Sequence, residues 1–571
     1  MSAQSKFQFV SSRPTVEVHL PDGQVLSGPR NASVGDFLKS IENSQMPPIV
    51  GAVVNDQLRE LTYPIQIDGY VRPLTMGDAD GMRLYRRSLT FLLETAFHQL
   101  FPHAILTIDH SVSSGGYFCQ VYNRAPLSGE ELAQLESLMC QFVEENAPFI
   151  RQETPLDEAI AYFKEKGYDD KVRLLAHRTK DHLVLYSMKG HRDYLHGYMV
   201  PSTGYLKWFA LTSVGDGFTL RFPRRHKPTE LLPLPDYTTL LATFRQYGDW
   251  LTRLGIDNVG ALNNAIRDKR IREIIMVSEA LHEQRITEIA GLIVDRIKHV
   301  RVILIAGPSS SGKTTFSKRL SIQLLAHGIS PFPMEMDNYF VDREHTPRDE
   351  NGELDFESIE AVNTQQLGKD LQHLIAGESV QIPKFDFKSG QSSPGDTIQL
   401  QPGQIIILEG IHGLNPQLTP NIPQQQTFRI YASALAQLNL DRHNRVSTAD
   451  SRLIRRIVRD AAERGYVAQD TISRWESVRR GEKRYIFPFQ DNADVMFNSA
   501  LVYELAALKP LAEPLLRQVP FGMPEHIEAK RLLAFIEWFL PVDRGLIPAN
   551  SILKEFIGGS SLREFKIWKQ H

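Results

Sequence analysis

Cysteine is nearly absent: of 571 residues only Cys119 and Cys140 carry a thiol. Two thiols cannot staple a secreted disulfide scaffold, and their spacing does not suit a structural zinc site. Long hydrophobic runs are missing too, since none approaches the ~18 apolar residues of a membrane span. Met1–Pro14 has no apolar core of the kind a signal peptide needs. Net charge is small, −3 at pH 7. That argues against a basic nucleic-acid surface spread over the whole chain and leaves only a local patch open. There is no solenoid repeat and no low-complexity tract. These absences lead to the expectation of a cytoplasmic protein with no membrane partner. What is present is an ordinary globular mixture, 42% hydrophobic and 23% charged. At ~150 residues per domain the length suits roughly four domains.

Alternation over Val16–Leu20, the turn signal Pro21-Asp22-Gly23 and the resumption at Val25–Leu26 predict a hairpin. Ser33 reads as the N-cap of a helix over Val34–Ile41. Ile49–Val54 and Leu58–Leu61 flank Asn55-Asp56 as a second hairpin, so residues 1–75 read as a small β-grasp-like domain. Residues 76–232 read as an α+β domain. Helices are expected over Leu84–Leu100 and Leu127–Asn146, the second with Ser128 and Glu131 as a capping box. Short strands are expected at Val172–Leu175, Leu183–Tyr186 and Leu206–Leu211. Pro233 and Pro235 mark a boundary, and residues 233–300 read as a helical linker. There Ile271, Ile274, Ile275, Ser278, Leu281 and His282 line one side of a long helix. Val302–Ile305 and Ile405–Leu408 are unbroken apolar runs, as buried parallel strands are. Helical segments alternate with them, so residues 301–506 form an α/β domain with a parallel sheet. Residues 507–571 read as helical, with a late break at Gly558-Gly559.

Gly307-Pro308-Ser309-Ser310-Ser311-Gly312-Lys313-Thr314 fits the pattern G-x-x-x-x-G-K-[ST]. It follows a buried strand and precedes the helical segment Thr315–Leu325. Glycines there let backbone N–H groups turn inward around phosphate oxygens. The helix N-terminus at Thr315 adds a favourable dipole. Lys313 can reach the β- and γ-phosphates, and the hydroxyl of Thr314 can ligate Mg²⁺. The motif thus implies ATP and Mg²⁺ as cofactors.

Two acids and a file of arginines accompany the loop. Asp337 ends the predicted strand Pro331–Met336, where the carboxyl end of a parallel strand faces the ligand crevice. It could accept a proton from an attacking hydroxyl, or simply cap the next segment. Glu409 follows Ile405–Leu408 and reads either as a partner of Mg²⁺ or as a plain strand-end acid. Arg452, Arg455, Arg456 and Arg459 recur at i, i+3, i+4 and i+7 and share a helical face, and Arg464 follows. Such a file suits a lid over transferring phosphates. It equally suits a solvated face paired with Asp450, Asp460 and Glu463.

Residues 301–505 resemble the uridine kinase and phosphoribulokinase family of P-loop kinases. The resemblance rests on Gly307–Thr314, Asp337-Asn338-Tyr339-Phe340, Phe385-Asp386-Phe387, Leu408-Glu409-Gly410 and the stretch Ser451–Asp460, in that order. It implies transfer of the γ-phosphoryl of ATP to a hydroxyl, the nucleoside 5′-hydroxyl in uridine kinases. It makes Asp337 the base, Lys313 a phosphate contact, and Arg459 and Arg464 parts of a lid. It places Tyr339, Phe385, Phe387, Arg452 and Arg455 toward the acceptor. Uridine kinases carry a histidine at the pyrimidine shortly after the aromatic pair. Here that position reads Gly390, so a hydrogen-bonding group for the base is missing or supplied elsewhere.

The N-terminal half resembles other families. Residues 14–75 look like a TGS domain. Residues 76–232 look like the second, editing-type domain of threonyl-tRNA synthetase, on Tyr85-Arg86-Arg87-Ser88 and Gly197–Thr203. The editing site's H-x-x-x-H pair, cysteine and histidine correspond to Arg87, Phe91, Leu195 and Met199. The resemblance therefore implies a retained fold without editing chemistry, and no zinc in residues 76–232. The resulting expectation is a nucleoside kinase, uridine or cytidine first. The alternatives are a kinase of another small hydroxylated metabolite or an ATP-switched, RNA-associated regulator. Expected partners are a small-molecule hydroxyl acceptor and, for the N-terminal half, RNA as an open candidate. A homo-oligomer is left open.

Overall fold

The computed structural model describes residues 11, 13–42, 46–112, 114–234, 248, 250–349, 352–386, 389–436 and 438–565. The chain divides into two compact units. One comprises Met1–Asp236, Asp441–Arg445 and Pro520–Ile527; the other comprises Tyr237–Leu440, Val446–Val519 and Glu528–His571.

In the first unit, strand Thr15–His19 pairs antiparallel with Val25–Pro29 across the expected turn. Gly23 supplies the turn's positive φ of 85°, which costs glycine nothing. The Ser33 hydroxyl accepts the N–H of Asp36 at 3.1 Å and caps helix Val34–Leu38. Strands Ile49–Val54 and Gln57–Arg59 form the second hairpin around Asn55 and Asp56. Those two residues sit at φ 46° and 61°, a region short polar side chains tolerate. Strand Gly69–Thr75 completes a five-stranded mixed sheet by pairing between Thr15–His19 and Ile49–Val54.

Helix Ala79–Leu100 follows and buries Leu89, Phe91, Leu92, Leu93 and Ala96 completely. Helix Gly129–Glu144 carries the expected capping box of Ser128 and Glu131. Two antiparallel sheets accompany these helices. One has four strands, ordered Ala210–Val214, Gly217–Arg221, Gly116–Tyr122, Ile105–Val112; the other has three, ordered His191–Asp193, His182–Met188, Ile150–Pro155.

Two predicted strands differ. Val172–Leu175 belongs to helix Asp169–Leu175. Four apolar-leaning residues do not distinguish the two periods, and Asp169 and Asp170 in the first turn complement a helix N-terminus. In Leu206–Leu211 only the last two residues are extended, within strand Ala210–Val214. Upstream of it the Trp208 N–H donates to the Tyr85 hydroxyl at 2.9 Å, and that hydroxyl donates to the Trp208 carbonyl at 2.8 Å. Those backbone groups are thereby withdrawn from strand pairing.

The second unit is built on a five-stranded parallel sheet. From one edge the order is Pro331–Glu335, Ile405–Glu409, Val302–Ala306, Thr427–Ser433, Val495–Asn498. Val302, Ile303, Leu304 and Ile305 are at most 1% exposed, so the central strand is covered on both faces. Truncating Leu304 to Ala would cost about 2–5 kcal/mol in lost burial and cavity. Register decides what this sheet positions. Ile305 pairs with Glu409, and Glu335 pairs with Glu409 from the other side. The segments leaving these three strands therefore emerge side by side at the carboxyl end of the sheet.

Helices Val259–Arg267 and Ile271–Asp295 lie in the second unit. Ile271, Ile274, Ile275, Ser278 and His282 are buried, as their spacing predicts. The second helix packs on helix Lys313–Ala326, where Arg319 donates to Glu279 at 3.4 Å and to Glu283 at 2.7 Å. Helix Glu504–Arg517 runs through positions 506 and 507 without a break. Glu525–Ile536 and Lys554–Ile557 are the later helices, the last ending at Gly558 with φ 80°.

A candidate phosphoryl-transfer site

Strand Val302–Ala306 leads into the loop from Gly307 to Thr314, and helix Lys313–Ala326 leads out of it. Two glycines are fixed by geometry. A Cβ on Gly307 would stand 1.9 Å from the Ala432 carbonyl oxygen. Gly312 has φ 81°, and its Cβ would meet Ile552 Cγ2 at 2.6 Å. The Lys313 ammonium folds back to the Pro308 carbonyl at 3.3 Å, across the mouth of the loop. The Thr314 hydroxyl donates to Glu409 Oε1 at 3.0 Å. A hydroxyl and a carboxylate so placed offer two hard oxygens to a divalent cation beside bound phosphates.

Asp337 sits in the turn Met336–Tyr339 that follows strand Pro331–Glu335. Its side chain is exposed to solvent, yet the protein packed around it raises its carboxyl above the ordinary carboxylate range by desolvation, against the pull of Lys313 and Arg464. Burial likewise pushes Glu409 up to about 7, with Lys313 opposing. It pulls Lys313 down, with Glu409, Glu555 and Asp337 opposing. Lys313, Asp337 and Glu409 thus form one electrostatic group at the carboxyl end of the sheet, as their strand positions predict.

The arginines divide their work. Helix Thr448–Arg459 buries Arg452 and Arg455 at 1% and 0% exposure. Arg452 donates to the Ser309 carbonyl at 2.8 Å and pairs with Glu482. Arg455 donates to the Ser310 carbonyl at 3.4 Å and pairs with Glu504. Both are spent on the underside of the phosphate loop and on buried carboxylates, which corrects the expectation that they face an acceptor. A buried guanidinium needs a fixed anion, and removing one partner of such a pair costs ~3–5 kcal/mol. Arg456 reaches the Ser309 hydroxyl at 3.0 Å. Arg459 donates to Asp460 at 2.9 Å, and the half-exposed Arg464 stands 3.5 Å from the same carboxylate. Asp460–Arg464 is a single widened π-turn closed by Gly465 at φ 68°.

The aromatic positions also differ from expectation. Tyr339 is 1% exposed and its hydroxyl donates to Asp370 at 3.0 Å. Phe385 is 6% exposed and packs on Phe340 with ring centroids 5.6 Å apart. Both belong to the core beneath the cleft, because the turn after Asp337 directs Tyr339 inward. Phe387 lies outside the described residues. Gly390 has φ 73°, and a Cβ there would stand 2.6 Å from Nε of Arg343. The Gly390 carbonyl accepts the Arg343 N–H at 2.8 Å. An arginine side chain therefore occupies the space beside Gly390.

Three acids of the site were not found by sequence reasoning. Glu357 is pushed up to about 7 by burial, with Arg456 and Lys313 opposing, and one of its oxygens is buried without a hydrogen bond. Glu482 accepts the Ser309 N–H at 3.2 Å. Glu555 accepts the Thr315 N–H at 3.1 Å and its hydroxyl at 2.8 Å. None follows a strand or falls in a motif, and Glu555 lies 240 residues from its partner.

In the first unit the four editing-type positions hold no reactive set. Phe91, Leu195 and Met199 are in the hydrophobic core, and Arg87 donates to the Tyr198 carbonyl at 2.5 Å.

Comparison with known proteins agrees with this division. Residues 302–506 match the Phosphoribulokinase / Uridine kinase family and residues 16–73 match the TGS domain. The N-terminal region is similar to threonine–tRNA ligases. The ligase of Acidovorax sp. (strain JS42) is 32% identical over 204 residues, 36% of this chain and 32% of that protein. The ligase of Polaromonas sp. (strain JS666 / ATCC BAA-500) is 30% identical over 240 residues, 42% of this chain and 37% of that protein. The chain thus spans about a third of the length of the curated relatives it matches. Among solved structures, a possible uridine kinase from Bacillus stearothermophilus aligns at 21% identity over 36% of this chain and 99% of that one, with TM-score 0.24. D-glycerate 3-kinase from Cryptococcus neoformans aligns at 14% identity over 44% of this chain and 87% of that one, with TM-score 0.20. Among the described residues no helix is long and apolar enough to cross a membrane. The chain thus joins a region that matches the TGS domain and a region similar to threonine–tRNA ligases to a region that matches the Phosphoribulokinase / Uridine kinase family.

Proposed function

We propose that the protein transfers the γ-phosphoryl of ATP, with Mg²⁺, to a hydroxyl of a small molecule, a nucleoside of the uridine or cytidine type first. The observation that carries this reading is the convergence of Lys313, the Thr314–Glu409 pair and Asp337 at adjacent strand ends. Phosphoryl transfer asks for little else: cations on the phosphates, a metal bridging them, and an acceptor hydroxyl positioned in line. In this reading the backbone of residues 307–315 cradles the phosphates and Lys313 neutralises them. Thr314 and Glu409 hold Mg²⁺ directly or through water. Asp337 orients the acceptor hydroxyl and takes its proton. Arg459 and Arg464 close over the γ-phosphate from the widened turn. Arg452 and Arg455 keep the loop in shape from below.

Acceptor choice is the finer point. The position that reads the pyrimidine in uridine kinases is Gly390, and Arg343 fills the adjoining space. A guanidinium there favours an acceptor that presents carbonyl or anionic oxygens. That supports a pyrimidine nucleoside and also a phosphorylated sugar, another small hydroxylated metabolite. A product screen by mass spectrometry over nucleosides and sugar phosphates tests the reading. A mass gain of one phosphoryl group on one class is expected. ATP hydrolysis without any phosphorylated product, and stimulated by RNA, would replace it with an ATP-driven switch.

A further inference from the structure

A second cluster of reactive side chains lies in the first unit, and the kinase reading makes no use of it. Helix Ala79–Leu100 contributes Glu94 and His98, strand His191–Asp193 contributes its two end residues, helix Asp169–Leu175 contributes Asp170 and Lys171, and the segment Asp441–Arg445 contributes Asp441, Arg442 and His443. Glu94, Lys171 and Asp193 are 2%, 0% and 0% exposed. The Lys171 ammonium stands 3.0 Å from both Asp193 and Asp441. Arg442 donates to Asp170 through Nε at 2.9 Å. Asp441 also accepts the Tyr194 hydroxyl at 2.6 Å and the backbone N–H groups of His443 and Asn444 at 3.0 Å each. These partners settle Asp170 and Asp441. They leave Glu94 unsettled: neither of its carboxylate oxygens has a hydrogen-bond partner, and neither does Nε2 of His191, 3.8 Å from Glu94 Oε2.

The spacing around Glu94 fits a single ion. His443 Nδ1 lies 2.8 Å from Asp193 Oδ2 and 3.4 Å from Glu94 Oε2. Glu94, Asp193 and His443 offer ligand atoms that all fall within 4.8 Å of one another. An ion with bonds of roughly 2.0–2.2 Å spaces its donors by about 3.0–3.6 Å, and the two distances from His443 Nδ1 lie within a few tenths of an ångström of that range. Charge points the same way. Four buried carboxylates, Glu94, Asp170, Asp193 and Asp441, face two fixed cations, Lys171 and Arg442. The carboxylates outnumber the cations there, and an unpaired charge in such surroundings is expensive. A polar cavity of about 210 Å³ opens beside the cluster, lined among others by Glu94, His98, Tyr168, His191 and His443.

We propose that Glu94, Asp193 and His443 bind a divalent transition-metal ion, Zn²⁺ by preference, with His191 as a fourth donor and the remaining position open to the cavity. Mixed imidazole and carboxylate donors suit Zn²⁺, Mn²⁺ or Co²⁺ better than Ca²⁺ or Mg²⁺, which prefer all-oxygen shells. The ion takes the place of the proton now shared between His443 Nδ1 and Asp193. The expectation of a metal-free module was drawn from Arg87, Phe91, Leu195 and Met199. Glu94 lies three residues beyond Phe91 on the same helix, one turn further along a shared face. His443 lies more than 200 positions beyond that module's sequence, so no motif reading of residues 76–232 could include it.

The full-length protein, stripped with chelator and reloaded with Zn²⁺ or Co²⁺, gives the test by elemental analysis and by the visible absorption of bound Co²⁺. One equivalent of ion per chain and ligand-field bands are expected. Glu94→Gln, which keeps the side chain's shape, should weaken binding at least tenfold, and His191→Gln should alter the Co²⁺ spectrum. His345→Ala should leave both unchanged, since it alters only the surface group Asp342, Glu344, His345. Failure of the wild-type protein to retain a stoichiometric ion would overturn the proposal. So would an ion that Glu94→Gln binds with wild-type affinity and spectrum.

Discussion

The carboxylate of Glu555 accepts both the backbone N–H and the hydroxyl of Thr315, at 3.1 and 2.8 Å. These are donors of the first helical turn after the phosphate loop, the part of such a helix that favours an anion. A phosphate oxygen that uses them competes with Glu555. Glu555→Gln is expected to lower KM for ATP roughly 5-fold, the equivalent of ~1 kcal/mol of charge–dipole interaction, with kcat little changed. Steady-state kinetics against ATP checks this. A raised KM would show that the carboxylate holds the loop in its binding shape.

Lys313→Ala is expected to remove most transfer activity while leaving the fold intact. The ammonium contacts a loop carbonyl at the mouth of the site. Groups that neutralise a transferring phosphoryl act chiefly in the transition state. Circular dichroism and turnover on one preparation settle the point; a folded variant with near-normal turnover would end the phosphate-loop assignment.

Asp337 and Glu409 should fail differently when neutralised. Asp337→Asn keeps its shape but cannot accept a proton. It should therefore preserve KM for ATP and lose roughly 10²–10⁴-fold in kcat. Glu409→Gln should instead shift the Mg²⁺ concentration needed for half-maximal rate, because its partner is the Thr314 hydroxyl. If both variants change only the Mg²⁺ requirement, the two carboxylates share one metal-holding role.

Glu357 gives a stability prediction with a definite sign. Burial pushes it up to about 7 from the usual 4.5. Between those values the folded protein holds the proton and the unfolded chain has lost it. The folded state therefore binds more protons, and stability falls as pH rises through that window. Glu357→Gln removes the titration. Its Tm should decline less than wild type between pH 5 and pH 8, in the absence of ATP and Mg²⁺. An unchanged pH profile would mean that Glu357 stays ionised beside Arg456.

Local pattern and chain direction made much of this protein legible in its sequence. The two N-terminal hairpins announce themselves through Asp22-Gly23 and Asn55-Asp56. The buried strand Val302–Ala306 shows as an unbroken apolar run, and the loop after it as a spaced motif. Once the sheet is parallel, the carboxyl ends of adjacent strands must meet, so Asp337 and Glu409 could be placed near Lys313. What failed depended on the direction of single side chains or on partners distant in sequence. Helical spacing puts Arg452 and Arg455 on the face of Arg459, yet it cannot tell that Glu482 and Glu504 wait beneath the loop to neutralise them. The Asp337–Phe340 motif gives the order of its residues and not which of them the turn drives inward. Glu555 and His443 join their sites from far along the chain, and no local signal marks either.

Phosphoryl transfer from γ-labelled ATP is the most direct measurement. With wild-type protein, Mg²⁺ and a panel of nucleosides and sugar phosphates, label is expected on a hydroxyl of one acceptor class, and Asp337→Asn should abolish that product while still binding ATP. Label released only as inorganic phosphate, at a rate indifferent to every acceptor and to Asp337→Asn, would contradict the assignment of this site as a kinase.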